Sequence, residues 1–129
     1  MKKILERRVF QFHPSLIWEI ISDISRSDWV PGVESITLDG NKRIFTMKGL
    51  GSLVEEIIDC DDSKMKLTYS AIETMAPIIH HLAIIQLHAD GDDTIFEWST
   101  DIDPPDFAEA IQQGMVASLD QLEQILIKT

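Results

Sequence analysis

The apolar positions of this chain change their period twice. Residues 4–12 mix apolar and charged side chains and end in Val9-Phe10-Gln11-Phe12, which reads as a first strand. His13-Pro14-Ser15 then opens a helix, with Pro14 suited to the first helical position. Ile17, Ile20, Ile21 and Ile24 follow at helical spacing. Residues 25–31, closed by Pro31-Gly32, read as a second short helix or a turn. From Val33 the period falls to two, and strands are expected over residues 33–38, 42–47, 52–59, 65–72, 79–89 and 94–102. Asp39-Gly40-Asn41, Gly49-Leu50-Gly51, Asp61-Asp62-Ser63 and Asp90-Gly91-Asp92-Asp93 carry turn chemistry between them. Connections this short favour antiparallel neighbours, so the six strands should form a meander. Residues 74–78, with Pro77, form a less regular link.

Over residues 106–128 the helical period returns. Phe107, Ile111, Met115, Leu119, Leu122 and Leu126 share one face, and at ~1.5 Å per residue the helix is roughly 30 Å long. Asp106 and Glu109 have the spacing of a capping box, and Pro104-Pro105 separates the helix from the last strand. Ser118 falls inside the stripe and Gly114 at its edge. Either Gly114 allows close packing and Ser118 bonds the carbonyl one turn back, or this helix lines a cavity.

Strand alternation indicates which side chains meet that helix. Phe96, Trp98, Thr100 and Ile102 should face inward, as should Ile79, His81, Ala83, Ile85 and Leu87, and Met65, Leu67, Tyr69 and Ala71. The strand at 52–59 does not declare a face, because Glu55 and Glu56 put one acid on each side. Small Ala71, Ala83 and Ser118 among Phe96, Trp98, Tyr69, His81 and Met115 suit a pocket that is mostly apolar with a few convergent polar groups.

Composition narrows the partners. In 129 residues, 22 acidic against 11 basic side chains give a net charge of −11, which argues against nucleic acid or an anionic membrane surface. No stretch approaches the ~20 apolar residues of a membrane span. No signal-peptide pattern follows Met1-Lys2-Lys3, so a cytoplasmic setting is expected. The single Cys60 excludes an internal disulfide and a Cys-based zinc site. His80 and His81 point to opposite strand faces and cannot chelate one ion, so neither a metal nor another cofactor is expected. The Asp90–Asp93 run reads as a solvated turn, and Trp18 as structural or partly exposed.

Several segments, in order, resemble one family. They are Phe12-His13-Pro14-Ser15-Leu16-Ile17-Trp18 with Ser22-Asp23-Ile24; Asp28-Trp29-Val30-Pro31-Gly32-Val33; Asp61-Asp62 before Met65-Lys66-Leu67-Thr68-Tyr69; and Asp90-Gly91-Asp92-Asp93-Thr94 before Phe96-Glu97-Trp98-Ser99. Together they resemble the START-like or Bet v 1-like (SRPBCC) superfamily, and within it the polyketide cyclase/dehydrase-like families, over one domain spanning residues 1–129. The resemblance implies an α+β helix-grip fold: a seven-stranded antiparallel sheet wrapped around the C-terminal helix, with two short helices after the first strand and a cavity between sheet and helix. Members bind lipids, polyketides, sterols or plant hormones, some cyclise or dehydrate polyketides, and others are co-chaperone modules.

Rough alignment with plant abscisic-acid receptors puts Glu55, Tyr69, His81 and Ala83 at cavity positions, and Gly114 and Ser118 on the matching helix face. That turns Leu53, Glu55 and Ile57 inward. The expected ligand-binding set is Trp29, Leu53, Glu55, Ile57, Tyr69, Ala71, His81, Ala83, Phe96, Trp98, Thr100, Gly114, Met115 and Ser118. Trp29, Phe96 and Trp98 have an alternative role as plain core. Glu55, Tyr69 and His81 are the catalytic candidates, an acid, a hydroxyl donor and a base able to support enolisation or dehydration; His81 could instead be a core histidine bonded to a neighbour such as Tyr69. The aromatase/cyclase enzymes carry an arginine in the strand that here reads Ser52-Leu53-Val54-Glu55-Glu56, and no basic residue replaces it. The gate and latch loops of the hormone receptors are unmatched as well. The leading expectation is therefore binding of a small hydrophobic molecule, aromatic, polyketide-like or lipid-like. The alternatives are a cyclase/dehydratase and a protein-interaction module with a filled cavity, and outward Leu82 and Ile84 are candidates for a homodimer contact.

Overall fold

The computed structural model describes all 129 residues. Strand β1 (Lys2–Phe10) leads into helix α1 (Pro14–Ser22). Six strands follow, β2 (Thr37–Asp39), β3 (Lys42–Met47), β4 (Gly51–Asp61), β5 (Lys66–Thr74), β6 (His80–Asp90) and β7 (Asp93–Asp103). A 3-10 turn (Pro105–Phe107) then precedes helix α2 (Ala108–Ile127). All seven strands pair antiparallel in one sheet of order β1-β7-β6-β5-β4-β3-β2. The meander is the expected one. The chain's first strand closes against its last, with Ile4 opposite Thr100 and Arg8 opposite Phe96.

The alternating pattern of β7 is carried through without a fault: Thr94, Phe96, Trp98, Thr100 and Ile102 are buried, and the residues between them are half-buried. Ala83, Ile85 and Leu87 of β6, and Leu67 and Tyr69 of β5, are buried on the same side. Against this concave face α2 lays Ala108, Met115, Ser118, Leu119, Leu122 and Leu126, with Phe107 and Ile111 partly buried. Polar contacts tie α2 to β1. Arg8 Nη1 lies 2.8 Å from Asp120 Oδ1, and Gln112 donates to Glu6 at 2.9 Å. Two irregularities in the β4–β5 ladder, between Val54 and Glu55 and between Ile57 and Asp59, add the local twist that curves a sheet around a helix.

Four local expectations are corrected. Residues 25–31 form successive turns rather than a second short helix, so only one helix follows β1. Asp23 takes the Ser25 backbone N–H (3.2 Å) and hydroxyl (2.7 Å) on its side chain, which offers the backbone a turn in place of a helix. Strand β2 keeps only three residues, and Val33 makes an isolated bridge to Met47. Ile79 lies outside β6 and is 77% exposed, because the chain joins that strand only at His80. The Asp106–Glu109 capping box does not form. The proline pair leads into a 3-10 turn, and the residue before α2 is Phe107, with no side-chain cap.

Gly114 departs from both of its expected roles. It is exposed, and a Cβ there would meet nothing within 4 Å. Gly51 is the opposite case. It needs a positive φ of 79°, and a Cβ would collide with the Met75 sulfur, so the β3–β4 and β5–β6 connections meet there. No helix is long and apolar enough to cross a membrane.

Gly114→Ala should therefore raise stability by about 1 kcal/mol, because the helix gains a better former at no steric cost. A urea unfolding midpoint at or below that of the parent would show that Gly114 has a role its surroundings do not reveal.

Candidate functional site

The concave face carries a row of polar groups across β3 to β6. Residue pairing aligns Arg43 of β3 with Glu55 of β4, and Glu55 with Ala71 of β5. Arg43 Nε donates to Glu55 Oε1 at 2.7 Å, and the two side chains are only 10% and 15% exposed. The Arg43 guanidinium stands over the Tyr69 ring, its carbon 4.7 Å from the ring centroid. The His81 ring also lies near Tyr69, with centroids 6.0 Å apart. Tyr69 Oη accepts a hydrogen bond from Trp98 Nε1 at 3.2 Å, and Trp98 in turn packs on Trp29 at 5.7 Å.

Arg43 was not among the expected site residues, and the stretch Ser52–Glu56 itself carries no arginine. The interior holds one, supplied by the strand beside Glu55. The signal for it was parity: Arg43 shares a strand face with Phe45, and both are buried.

Electrostatics follow from this burial. Burial raises the Glu55 carboxyl above its ordinary pKa, and the charge and hydrogen bond of Arg43 oppose that rise without cancelling it. The Tyr69 hydroxyl is pushed up, first by burial and then by the Glu55 charge. His81 is lowered from 6.5 to about 4, chiefly by burial and secondarily by His80. These groups are a neutral imidazole, a neutral phenol and an internal ion pair.

The His81 ring has a structural task that strand pairing alone did not reveal. The β5–β6 ladder ends at the Tyr69–Ala83 pair. Beyond it the backbone groups are satisfied by side chains: the Ala71 N–H donates to His81 Nδ1 at 2.9 Å, and the Ser70 hydroxyl donates to the His81 carbonyl. A backbone N–H can only donate, so Nδ1 must be the acceptor and the ring proton sits on Nε2. His81 is thus bonded to a neighbour, but to backbone rather than to Tyr69.

Of the remaining expected residues, Trp29, Ile57, Ala83, Phe96, Trp98, Thr100, Met115 and Ser118 are buried. Leu53 and Ala71 are half-buried. Phe96 belongs to the plain core, edge-on to Phe10 at 5.8 Å. The Thr100 hydroxyl points at the Met115 sulfur, 3.7 Å away, and joins β7 to α2. Ser118 makes no hydrogen bond to the carbonyl one turn back, and Gly114 lies away from the group. Trp18 is buried and donates to Asp62 at 2.9 Å. The Cys60 thiol is held above its ordinary pKa by burial and by Asp62, Asp59 and Asp61, which suppresses a nucleophilic thiolate. No three His, Cys, Asp or Glu side chains are placed to hold a metal ion.

Two clefts are lined by other residues. A cleft of about 550 Å³ is lined by Gly32, Glu34, Ser35, Thr37, Ile44, Phe45, Thr46, Lys48 and Ser52. A groove of about 430 Å³ runs between β1 and α2 past Glu6, Gln112 and Asp120. Neither includes any residue of the expected ligand set.

Comparison with known proteins now adds the family. Residues 1–126 match the family described as polyketide cyclase / dehydrase and lipid transport. The chain belongs to that family. Solved structures share the fold of this polyketide cyclase/dehydrase family member at low identity. XoxI from Bacillus cereus superposes with a TM-score of 0.89 at 20% identity, covering 98% of this chain and 96% of that one. A START superfamily protein from Mycobacterium smegmatis gives 0.84 at 10% identity, with 98% and 97% covered. Truncated norcoclaurine synthase from Thalictrum flavum gives 0.79 at 17% identity, with 99% and 94% covered. No curated protein sequence matches the chain. The helix-grip architecture is shared with a START superfamily protein and with norcoclaurine synthase, and the family points to a ligand-binding fold.

Two measurements test the polar row. Because the folded state keeps His81 neutral down to about 4, the unfolded chain binds its proton first as pH falls below 6.5, and stability should drop across that window. An NMR titration of the His81 ring should give a midpoint near 4, and a midpoint near 6.5 would refute the burial described. Arg43→Met, which strands the Glu55 charge, should cost about 3 kcal/mol in chemical denaturation, while Arg43→Met with Glu55→Leu should recover most of that loss. Equal losses in the single and double variants would mean that the two side chains do not act as a pair.

Proposed function

We propose that this protein binds a small, largely apolar molecule, aromatic, polyketide-like or lipid-like, between the concave face of the sheet and α2, around Tyr69. The observation that carries this reading is the polar row of Arg43, Glu55, Tyr69 and His81 inside an otherwise apolar interior. A buried ion pair is weak evidence for stability, since apolar residues of the same volume often serve as well. Its presence beside the buried Tyr69 ring is better accounted for by recognition. The family described for polyketide cyclisation and lipid transport supports the same reading.

Binding is favoured over catalysis. A general base needs a free lone pair near the reacting proton, and the His81 lone pair is committed to the Ala71 N–H. Glu55 is committed to Arg43. The interaction-module alternative is weakened on the outer face, where Leu82 and Ile84 lie beside Asp101 and Ser99 rather than in a continuous apolar patch. The same arrangement weakens a homodimer contact there.

Backbone and indole NMR shifts on titration with aromatic and acyl-chain probes will locate the site. Perturbations should centre on Tyr69, His81 and Trp98, and Ala71→Leu, which fills space beside them, should weaken binding about tenfold or more. Perturbations confined to the cleft lined by Gly32 and Ser52, or none at any soluble probe concentration, would overturn the proposal.

A further inference from the structure

Two donor edges on the concave face are left without a protein partner. Arg43 uses only Nε toward Glu55, so both Nη groups remain open. His81 uses Nδ1 toward Ala71, so its Nε2–H remains open. Neither residue is exposed, and yet no fully buried polar side-chain atom in this protein lacks a partner. The Nη groups and Nε2 must therefore border space that a water-sized group can enter. Both lie near the same ring, at 4.7 Å and 6.0 Å from the Tyr69 centroid for the guanidinium carbon and the imidazole centroid.

What these edges share is that they donate. A matching ligand presents acceptor oxygens. Charge narrows the choice further, because Glu55 already offsets the Arg43 charge. A second carboxylate reaching Nη would lose its hydration in a largely buried site and approach an existing anion. An uncharged carbonyl oxygen accepts the same hydrogen bonds without that cost.

We propose that this face selects uncharged, largely apolar molecules bearing acceptor oxygens, received by the Arg43 Nη groups and His81 Nε2–H beside Tyr69, and that it discriminates against carboxylates. The proposal rests on the binding reading above and adds the polarity of the ligand.

The test uses one skeleton with three substituents: acetylnaphthalene, ethylnaphthalene and naphthoate, each titrated near neutral pH and followed by protein NMR shifts. In the parent protein the ketone should bind about tenfold tighter than either of the others, the effect of one net hydrogen bond. His81→Asn keeps a side-chain oxygen for the Ala71 N–H and removes the Nε2–H. It should bring the ketone down toward the ethyl compound while leaving the ethyl compound unchanged. Equal affinity of ketone and ethyl probes in the parent protein would overturn the proposal, whatever the variant does, and leave the binding reading standing. So would tightest binding of naphthoate, which would make Arg43 an anion receptor, or an undiminished ketone preference in His81→Asn. Failure of all three probes to bind would remove the binding reading and this proposal with it.

Discussion

The fold depends on covering one apolar stripe. Met115, Leu119, Leu122 and Leu126 of α2 cannot remain in water, and burying a side chain of that size is worth roughly 1.5–3 kcal/mol. A flat sheet would touch the stripe along one line. The β4–β5 irregularities and the pairing of β1 with β7 curve the sheet so that buried residues of β1, β4, β5, β6 and β7 share one core with the helix. Most of the remaining architecture follows from that demand. The strands present alternate residues inward, Trp29 is carried in by a turn to meet Trp98, and Arg8 and Gln112 hold the helix against the edge strand β1.

A curved sheet has difficulty keeping every ladder intact, and this one gives way between β5 and β6. Beyond Tyr69 and Ala83 the strands no longer share backbone bonds. Their orphaned groups would each cost on the order of 1–3 kcal/mol if left buried and unpaired. His81 and Ser70 supply the missing partners from side chains. That substitution has a chemical consequence. It fixes the His81 tautomer, and with burial keeping the ring neutral it turns a residue with the appearance of a base into a hydrogen-bond donor. On the neighbouring strands the Arg43–Glu55 pair does something similar, since each charge answers the other inside the protein. The interior therefore presents hydrogen-bond donors whose charge is answered from within the protein.

The sequence by itself determined the order of the main elements and the faces of those with a clear period. Alternation in residues 94–102 and the three- and four-residue steps of the final helix are enforced by side-chain geometry within one element, so they can be read without knowing what packs against them. The inward set of Tyr69, Ala83, Trp98, Thr100 and Met115 follows from these periods. Glu55 needed the family resemblance to choose its face, because two adjacent glutamates give alternation nothing to discriminate.

What only the tertiary structure decided involves groups brought together from different elements. Arg43 enters the interior because β3 pairs with β4 in the register that sets it opposite Glu55, and register is a property of two strands. The His81 partner depends on where a ladder ends, which local periodicity does not encode. Gly114 lies at the stripe's edge by helical counting, but whether that edge meets the sheet or solvent depends on how the helix is rolled in its grip, and it meets solvent. Periodicity reports the direction of a side chain from its own backbone. The identity of the atom it meets is set by the curvature and register of the whole sheet.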